Sequence, residues 1–286
     1  IQDPAGGAPG AVGHRYTDEY EREPVTVLHV MNNDGSNITQ ISFNQSHDRN
    51  PVVLSTGEIM YSRWDHVGGR NQFSIFKINP YGSDFFVLYG AHSPGNSYLH
   101  PREMPDGRVI STLMPLSGTR EGGSLEIIDI QNYSENNDPA TQPGPVNQLG
   151  ERAGQFQVSR LMLPGESAAT HTAMRGQNIS PLGRYSTSFP LWDGTGRVLV
   201  AYTPSQPSTE FNPFLGQNVQ VEGTPRYGIW MLNLDSRTLN VVVPPVDGFL
   251  LSDPVAIQAR PVPGIKPATP LDEATTGTGF GILNAK

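Results

Sequence analysis

Three stretches of this chain align with one another without gaps, and that internal repetition restricts the architecture more than any other feature. They run from Asn50 to Ser62, from His100 to Thr112 and from Phe189 to Ala201. In each, a proline (Pro51, Pro101, Pro190) precedes a glycine (Gly57, Gly107, Gly196) by six positions, and the glycine opens an apolar, β-branched run. The proline supplies a strand position without a donor, and the glycine supplies a turn residue that tolerates φ > 0. A second element recurs at Leu28 to Gly35, Ile75 to Gly82, Leu125 to Asn132 and Ile229 to Ser236. Each is an alternating strand that runs into Asn, Asp, Gly or Ser, the chemistry of a hairpin turn. Their starts lie 47, 50 and 104 residues apart, and the last step reads as about two periods.

A period near 50 with several short strands per unit is what the blades of a propeller produce. A small four-stranded sheet cannot bury both faces alone, so such units must stack on one another. The expected fold is therefore all-β: a β-propeller of four-stranded antiparallel blades. The abundance of Gly (31) and Pro (26) among 286 residues agrees with many short strands rather than long helices. Four units are clear, and the stretch from Phe156 to Met174 is a fifth candidate. A closed ring calls for more, so the propeller is incomplete within this chain or further blades are hidden in its insertions. Residues 1–24 read as an N-terminal arm, 25–263 as the propeller and 264–286 as a C-terminal linker. Gln131 to Arg152 and Pro204 to Arg226 read as long insertions on the rim of the scaffold, where binding surfaces are usually built.

Several function classes fall away on composition. The formal net charge is -8, from 19 basic and 27 acidic side chains scattered without a basic run, so nucleic acid is not an expected partner. No apolar stretch is long enough to cross a bilayer as a helix. Cysteine is absent, which rules out disulfides, thiolate metal sites and covalent haem attachment within these residues. The first residue is Ile1 rather than Met, which suits a processed exported protein or a piece of a longer one.

The string from Ile41 to Asp65 resembles the repeat of TolB-like propellers, a WD40-like architecture in which an Asp or His-Asp precedes Pro and a Pro-Asp-Gly turn opens the next strand. Pro105-Asp106-Gly107 shows that turn in full. Ser46-His47-Asp48, Tyr61-Ser62-Arg63-Trp64-Asp65-His66 and His100-Pro101-Arg102 further resemble the propeller region of hydrazine synthase alpha subunit-like proteins, over about residues 25–263. The resemblance implies a periplasmic or extracellular multidomain bacterial protein, with the propeller flanked by haem-bearing domains. With no cysteine, the haem chemistry of that family does not carry over to these residues.

The candidate metal ligands are His47, Asp48, His66 and His100, which the repeat puts at strand entrances; imidazole beside carboxylates such as Asp48 and Asp65 makes a mixed metal shell. The competing reading is that His47-Asp48 and Asp65-His66 hydrogen-bond turns and neighbouring blades. Asp48, Asp65, Glu103 and Asp106 are the only set for a paired-carboxylate hydrolase, and turn chemistry explains them as well. Arg63-Trp64 offers a cation and an aromatic face to a ligand, although Trp64, Trp192 and Trp230 read more simply as core. Met60, Met104, Met114 and Met231 read as fillers between blades. No Gly-x-Ser-x-Gly elbow accompanies His171, and Gly68-Gly69 and Gly122-Gly123 read as hairpin turns rather than phosphate loops.

Two functions follow from different classes. One is a non-catalytic scaffold that docks other domains or subunits of an exported, haem-containing assembly through its rim loops, with no cofactor of its own. The other is an enzyme subunit with a metal- or carboxylate-based site at the propeller channel, as in a redox complex or a hydrolase.

Overall fold

Residues 24–67, 70–91, 97–114, 122–132, 155–157 and 183–267 are described by a computed structural model of the chain. Among them every regular element is a β-strand, and every pairing within the sheets is antiparallel. Strands β1 (His29–Val30) and β2 (Thr39–Gln40) form a two-stranded sheet. A four-stranded sheet follows, with β3 (Asp48–Val53), β4 (Ile59–Val67), β5 (Arg70–Ile78) and β6 (Phe86–Tyr89) side by side in chain order. The next holds β7 (Ser97–Glu103), β8 (Val109–Met114), β9 (Ser124–Ile128) and β10 (Gln155–Gln157) in the same sequential order. In the third, β11 (Arg184–Pro190) and β12 (Arg197–Thr203) are followed by a separate hairpin, β13 (Pro207–Asn212) with β14 (Gln217–Glu222), before β15 (Gly228–Asn233) and β16 (Thr238–Val243) complete the sheet.

The repeat seen in the sequence marks the same corner of each four-stranded sheet. Leu54 N–H donates to Glu58, Met104 to Arg108 and Leu191 to Arg197, so Gly57, Gly107 and Gly196 each stand two residues before a second strand's first apolar residue. All three glycines have positive φ. The gapless alignment fails on the other side of the third turn. Val53 pairs with Ile59 and Glu103 with Val109, but it is Pro190 that pairs with Val198, so Pro190 stands with Val53 and Glu103 rather than with Pro51 and Pro101. Two extra residues in the Asp193 to Gly196 turn, where Gly194 also takes positive φ, absorb the shift.

Two other expectations change. The 104-residue step from Leu125 to Ile229 is one period, because β9 and β15 are third strands of sheets that pack directly on each other. The β13–β14 hairpin and the segment between β10 and β11 account for the added length. Phe156 does not start a unit of its own but lies in β10, the fourth strand of the second sheet; residues 158–182, which include His171, lie outside the described residues.

The core lies between sheets, as the alternation of side chains along a strand requires. On β4, Ile59 and Tyr61 join Leu28, Ile41, Phe76 and Ile78 against the two-stranded sheet, whereas Met60 between them joins Ile75, Tyr89, Tyr98, Val109 and Ile128 against the second sheet. On β8, Val109 points to that cluster and Ile110 points away, to Leu125, Ile127, Tyr185, Val198, Val200 and Leu232 against the third sheet. Met104 fills a place in the same cluster. Strand β7 packs against β3, β4 and β5, and β11 packs against β7, β8 and β9.

Candidate functional site

Two arrangements gather the chemically capable side chains, and both grow from the first strand of a sheet. In the first, β3 begins with His47-Asp48 beside Arg63-Trp64 of β4, because Asp48 pairs with Arg63 and the carbonyl of His47 accepts from Trp64 N–H. His47 is buried, and its Nδ1 accepts from the backbone N–H of Thr26 at 3.1 Å. Its ring stacks on Trp64 (centroids 5.5 Å apart), which stacks in turn on His66 (5.1 Å) and Phe73 (5.8 Å). Trp64 donates to Asn71 Oδ1. One indole therefore gathers three stacked rings, two of them imidazoles, into a column built from one strand and its neighbours.

Behind this column lies Arg63, whose guanidinium sits over Phe85 (4.9 Å) and Phe76 (5.6 Å) and reaches Asp48 Oδ1 at 3.5 Å and Asp65 Oδ1 at 3.6 Å. One cation thus bridges two carboxylates. Asp48 also accepts from Asn44 at 3.2 Å. Burial dominates its electrostatics and pushes its carboxyl up to about 6, while Arg63, Ser42 and Asn44 pull it down and Asp65 raises it further. Its proton affinity therefore lies close to neutrality.

The second arrangement runs along the first strands. Each carries a register shift, at Arg49/Val52, Leu99/Arg102 and Tyr185/Ser188. Inside it, Asn50 (φ 56°) and His100 (φ 53°) take left-handed conformations immediately before proline. Asn50 Oδ1 accepts from the backbone N–H of His100 at 3.3 Å, which ties one sheet to the next. The third sheet places Thr187 at this position, and its hydroxyl accepts from Asp253 N–H at 2.9 Å. His100 Nδ1 lies 4.0 Å from Asp253 Oδ1; burial lowers the imidazole's proton affinity, with Asp253 opposing and Arg102 assisting. Glu103, nearly buried, accepts from both the N–H (2.7 Å) and the hydroxyl (2.5 Å) of Ser55 in the preceding sheet, and Arg260 lies 3.7 Å away.

The four candidate ligands do not come together. His47, Asp48 and His66 surround Trp64 and Arg63, His100 belongs to the line of first strands, and among the described residues no three His, Cys, Asp or Glu converge as a metal shell. Physically, His47 Nδ1 is committed to Thr26 and Asp48 to Arg63. Of the carboxylate set, Asp106 is held within its own turn by Arg108, and Glu103 ties two sheets. Of the tryptophans only Trp230 packs against a core cluster; Trp64 is half-buried in the column, and Trp192 is half-buried under the Arg260 guanidinium at 4.6 Å. Met114 and Met231 are half-buried. Gly122-Gly123 leads into β9, where Gly123 bridges Tyr185; Gly68-Gly69 lies outside the described residues.

The structural role of His47 becomes plain from its equivalents. Counting back three residues from each bulge apex reaches His47, Ser97 and Arg184. Ser97 Oγ accepts from Phe73 N–H at 3.0 Å, and the fully buried Arg184 donates to Gly122 O at 3.4 Å. Three different side chains at one position each bind the backbone of the sheet before, at the segment leading into β1, in β5 and at the segment leading into β9. Sequence inspection passed over Ser97, Arg184, Thr187 and Asp253; the readable signal for the last was Asp253-Pro254, which repeats Asn50-Pro51 and His100-Pro101.

No protein-family model matches this chain, and no curated protein matches it. Among solved structures it is similar to hydrazine synthase of Kuenenia stuttgartiensis, with a TM-score of 0.47 and 14% sequence identity over 78% of this chain. The match covers 23% of that chain, so the present chain spans under a quarter of its length.

A groove of about 590 Å³ runs between β1 and β3 and is lined by Leu28, Val30, Ile41, Val52 and Ile59 with Asp48 at its wall. Among the described residues no helix is long and apolar enough to cross a membrane. Of the two insertions expected on the rim, Gln131 to Arg152 lies outside the described residues except at its start, where Asp129 accepts from the backbone of Gln131 and Asn132. The other, Pro204 to Arg226, is not a loose loop but the regular β13–β14 hairpin, with six cross-strand pairs from Pro207↔Glu222 to Asn212↔Gln217.

Proposed function

We propose that this chain is a non-catalytic β-propeller scaffold of an exported multidomain protein, which docks neighbouring domains or subunits through its rim. The observation that carries the reading is the tip of the β13–β14 hairpin. There Phe214 is 96% exposed, with Phe211 and Leu215 also exposed, on a ribbon whose own strands are regular. Asn212 caps the turn by accepting from the N–H groups of Phe214 and Leu215, so the apolar tip is held in one shape. A preformed, exposed aromatic anchor on a rigid support is what a docking element requires. Elsewhere Glu103, through Ser55, and His100, through Asn50 and Asp253, serve the joints between sheets, which is the work of a scaffold.

The test compares the native chain with Phe214→Asp, each used as bait in extract of the source cells with chemical cross-linking, and measures bound transition metals on the purified protein. The reading expects a defined partner cross-linked through the hairpin and lost in the variant, with an unchanged circular dichroism spectrum. Stoichiometric metal accompanied by turnover, or a partner retained by the variant, would overturn it.

A further inference from the structure

We propose that residues 251–258 are the first strand of a further sheet, and that their outer edge is a docking site for an extended segment with alternating apolar side chains, added as an antiparallel strand. The inference rests on the backbone of this segment and not on the hairpin tip.

Four correspondences place the segment in the series of β3, β7 and β11. Asp253 has φ 51° and precedes Pro254, as Asn50 (56°) precedes Pro51 and His100 (53°) precedes Pro101. Its N–H donates to the side chain of Thr187, the apex residue of the third sheet, as the N–H of His100 donates to the apex residue Asn50 of the first. Two residues earlier, Leu251 N–H donates to the carbonyl of Tyr227, just before β15. At the same position Asp48 N–H donates to Thr26, and Tyr185 N–H to Gly123, just before β9. Past the apex, Gln258 Oε1 accepts from Trp192 N–H in the turn of the third sheet, much as Glu103 accepts from Ser55 N–H in the turn of the first.

The segment lacks what the other first strands have. Strands β3, β7 and β11 are each covered along their outer edge by a second strand, β4, β8 or β12, whereas among the described residues no strand pairs with 251–258. The residue four beyond the apex shows the consequence. Leu54, Met104 and Leu191 are 5%, 5% and 8% exposed, while Ile257 is fully exposed and Val255 is 72% exposed. The continuity of the series fixes the chemistry of the occupant: it resembles β4, β8 and β12, which after a Gly-x start carry apolar residues on one face at Ile59 and Tyr61, at Val109 and Leu113, and at Val198 and Val200. An unpaired, apolar first strand is an edge that accepts strand addition.

The experiment uses the whole chain and, as probe, a fluorescent synthetic peptide of residues 194–203, the second strand of the third sheet. Saturable one-to-one binding is expected, with slowed amide hydrogen exchange at 255–258, at least about tenfold weaker binding to Ile257→Asp, and none of a scrambled peptide. Phe214→Asp, which tests the hairpin, binds this peptide like the native chain, so the two readings fail separately. Absence of binding, protection elsewhere without protection at 255–258, or equal affinity for Ile257→Asp would overturn the inference.

Discussion

The backbone N–H of His100 donates to Asn50 Oδ1, and both residues are left-handed at the same point of successive first strands. A residue before proline is ordinarily pushed to extended conformations, so the pair is held against local preference by what it joins. Asn tolerates positive φ and also supplies the acceptor. Asn50→Gly keeps the first property and loses the second, and should cost about 1 kcal/mol; Asn50→Ala loses both and should cost about 2 kcal/mol. Denaturant unfolding of the two variants decides it, and a Gly variant less stable than the Ala variant would show that backbone strain is not the larger effect.

Glu103 holds two donors of Ser55 at once. Glu103→Ala leaves the Ser55 N–H without its acceptor at a tight turn, and should destabilise by about 2–3 kcal/mol. Glu103→Gln keeps one acceptor and should lose about half as much. Thermal unfolding separates them; equal losses would assign the effect to charge alone, through Arg260.

Asp48 introduces a dependence on pH. Its folded proton affinity, at about 6, lies above the ordinary carboxylate value of 3.8, so the protonated form is favoured by folding. The stability it contributes is complete below about pH 4 and is lost as pH rises through about 6, up to about 3 kcal/mol. Native stability minus that of Asp48→Asn should therefore fall between pH 4 and pH 7. Urea midpoints of both proteins across that range measure it, and a difference that stays flat or rises would refute the burial-dominated account.

Gly57 and Gly107 have nearly the same positive φ, 85° and 82°, but not the same surroundings. A Cβ at Gly107 meets only the flexible Gln131 side chain, whereas one at Gly57 meets the backbone carbonyl of Gly264. Gly107→Ala should cost about 1–2 kcal/mol from φ strain. Gly57→Ala should cost more and should also loosen the Gly264 N–H to Ser55 bond, speeding amide hydrogen exchange at Gly264 and Ile265. Exchange rates at those two amides under native conditions would settle it, and equal rates in both variants would show that the 260–266 segment does not depend on Gly57.

The strands and turns of the first two sheets were legible because their signals are local. Pro51 to Gly57 and Pro101 to Gly107 mark turns whose chemistry is contained within a few residues. The third sheet misled at Pro190 because a turn two residues longer preserves the spacing by coincidence. The hairpin disguised the period between Leu125 and Ile229, since β12 and β15 pair directly across a long excursion of chain. At the candidate site, His47 and Asp48 were visible as chemistry but not as joints. Their partners Thr26 and Arg63 lie 21 and 15 residues away, and their equivalents Ser97, Tyr98, Arg184 and Tyr185 share no residue type with them.

Among the described residues each hydrophobic cluster is owned by two sheets, as Ile59, Met60 and Tyr61 show on a single strand. A gene that encodes such a chain can gain or lose length between strands, as β13–β14 illustrates, with no effect on any cluster. It can gain or lose a sheet only whole and only where the two faces newly brought together are complementary, so the heritable unit of change here is the joint rather than the sheet.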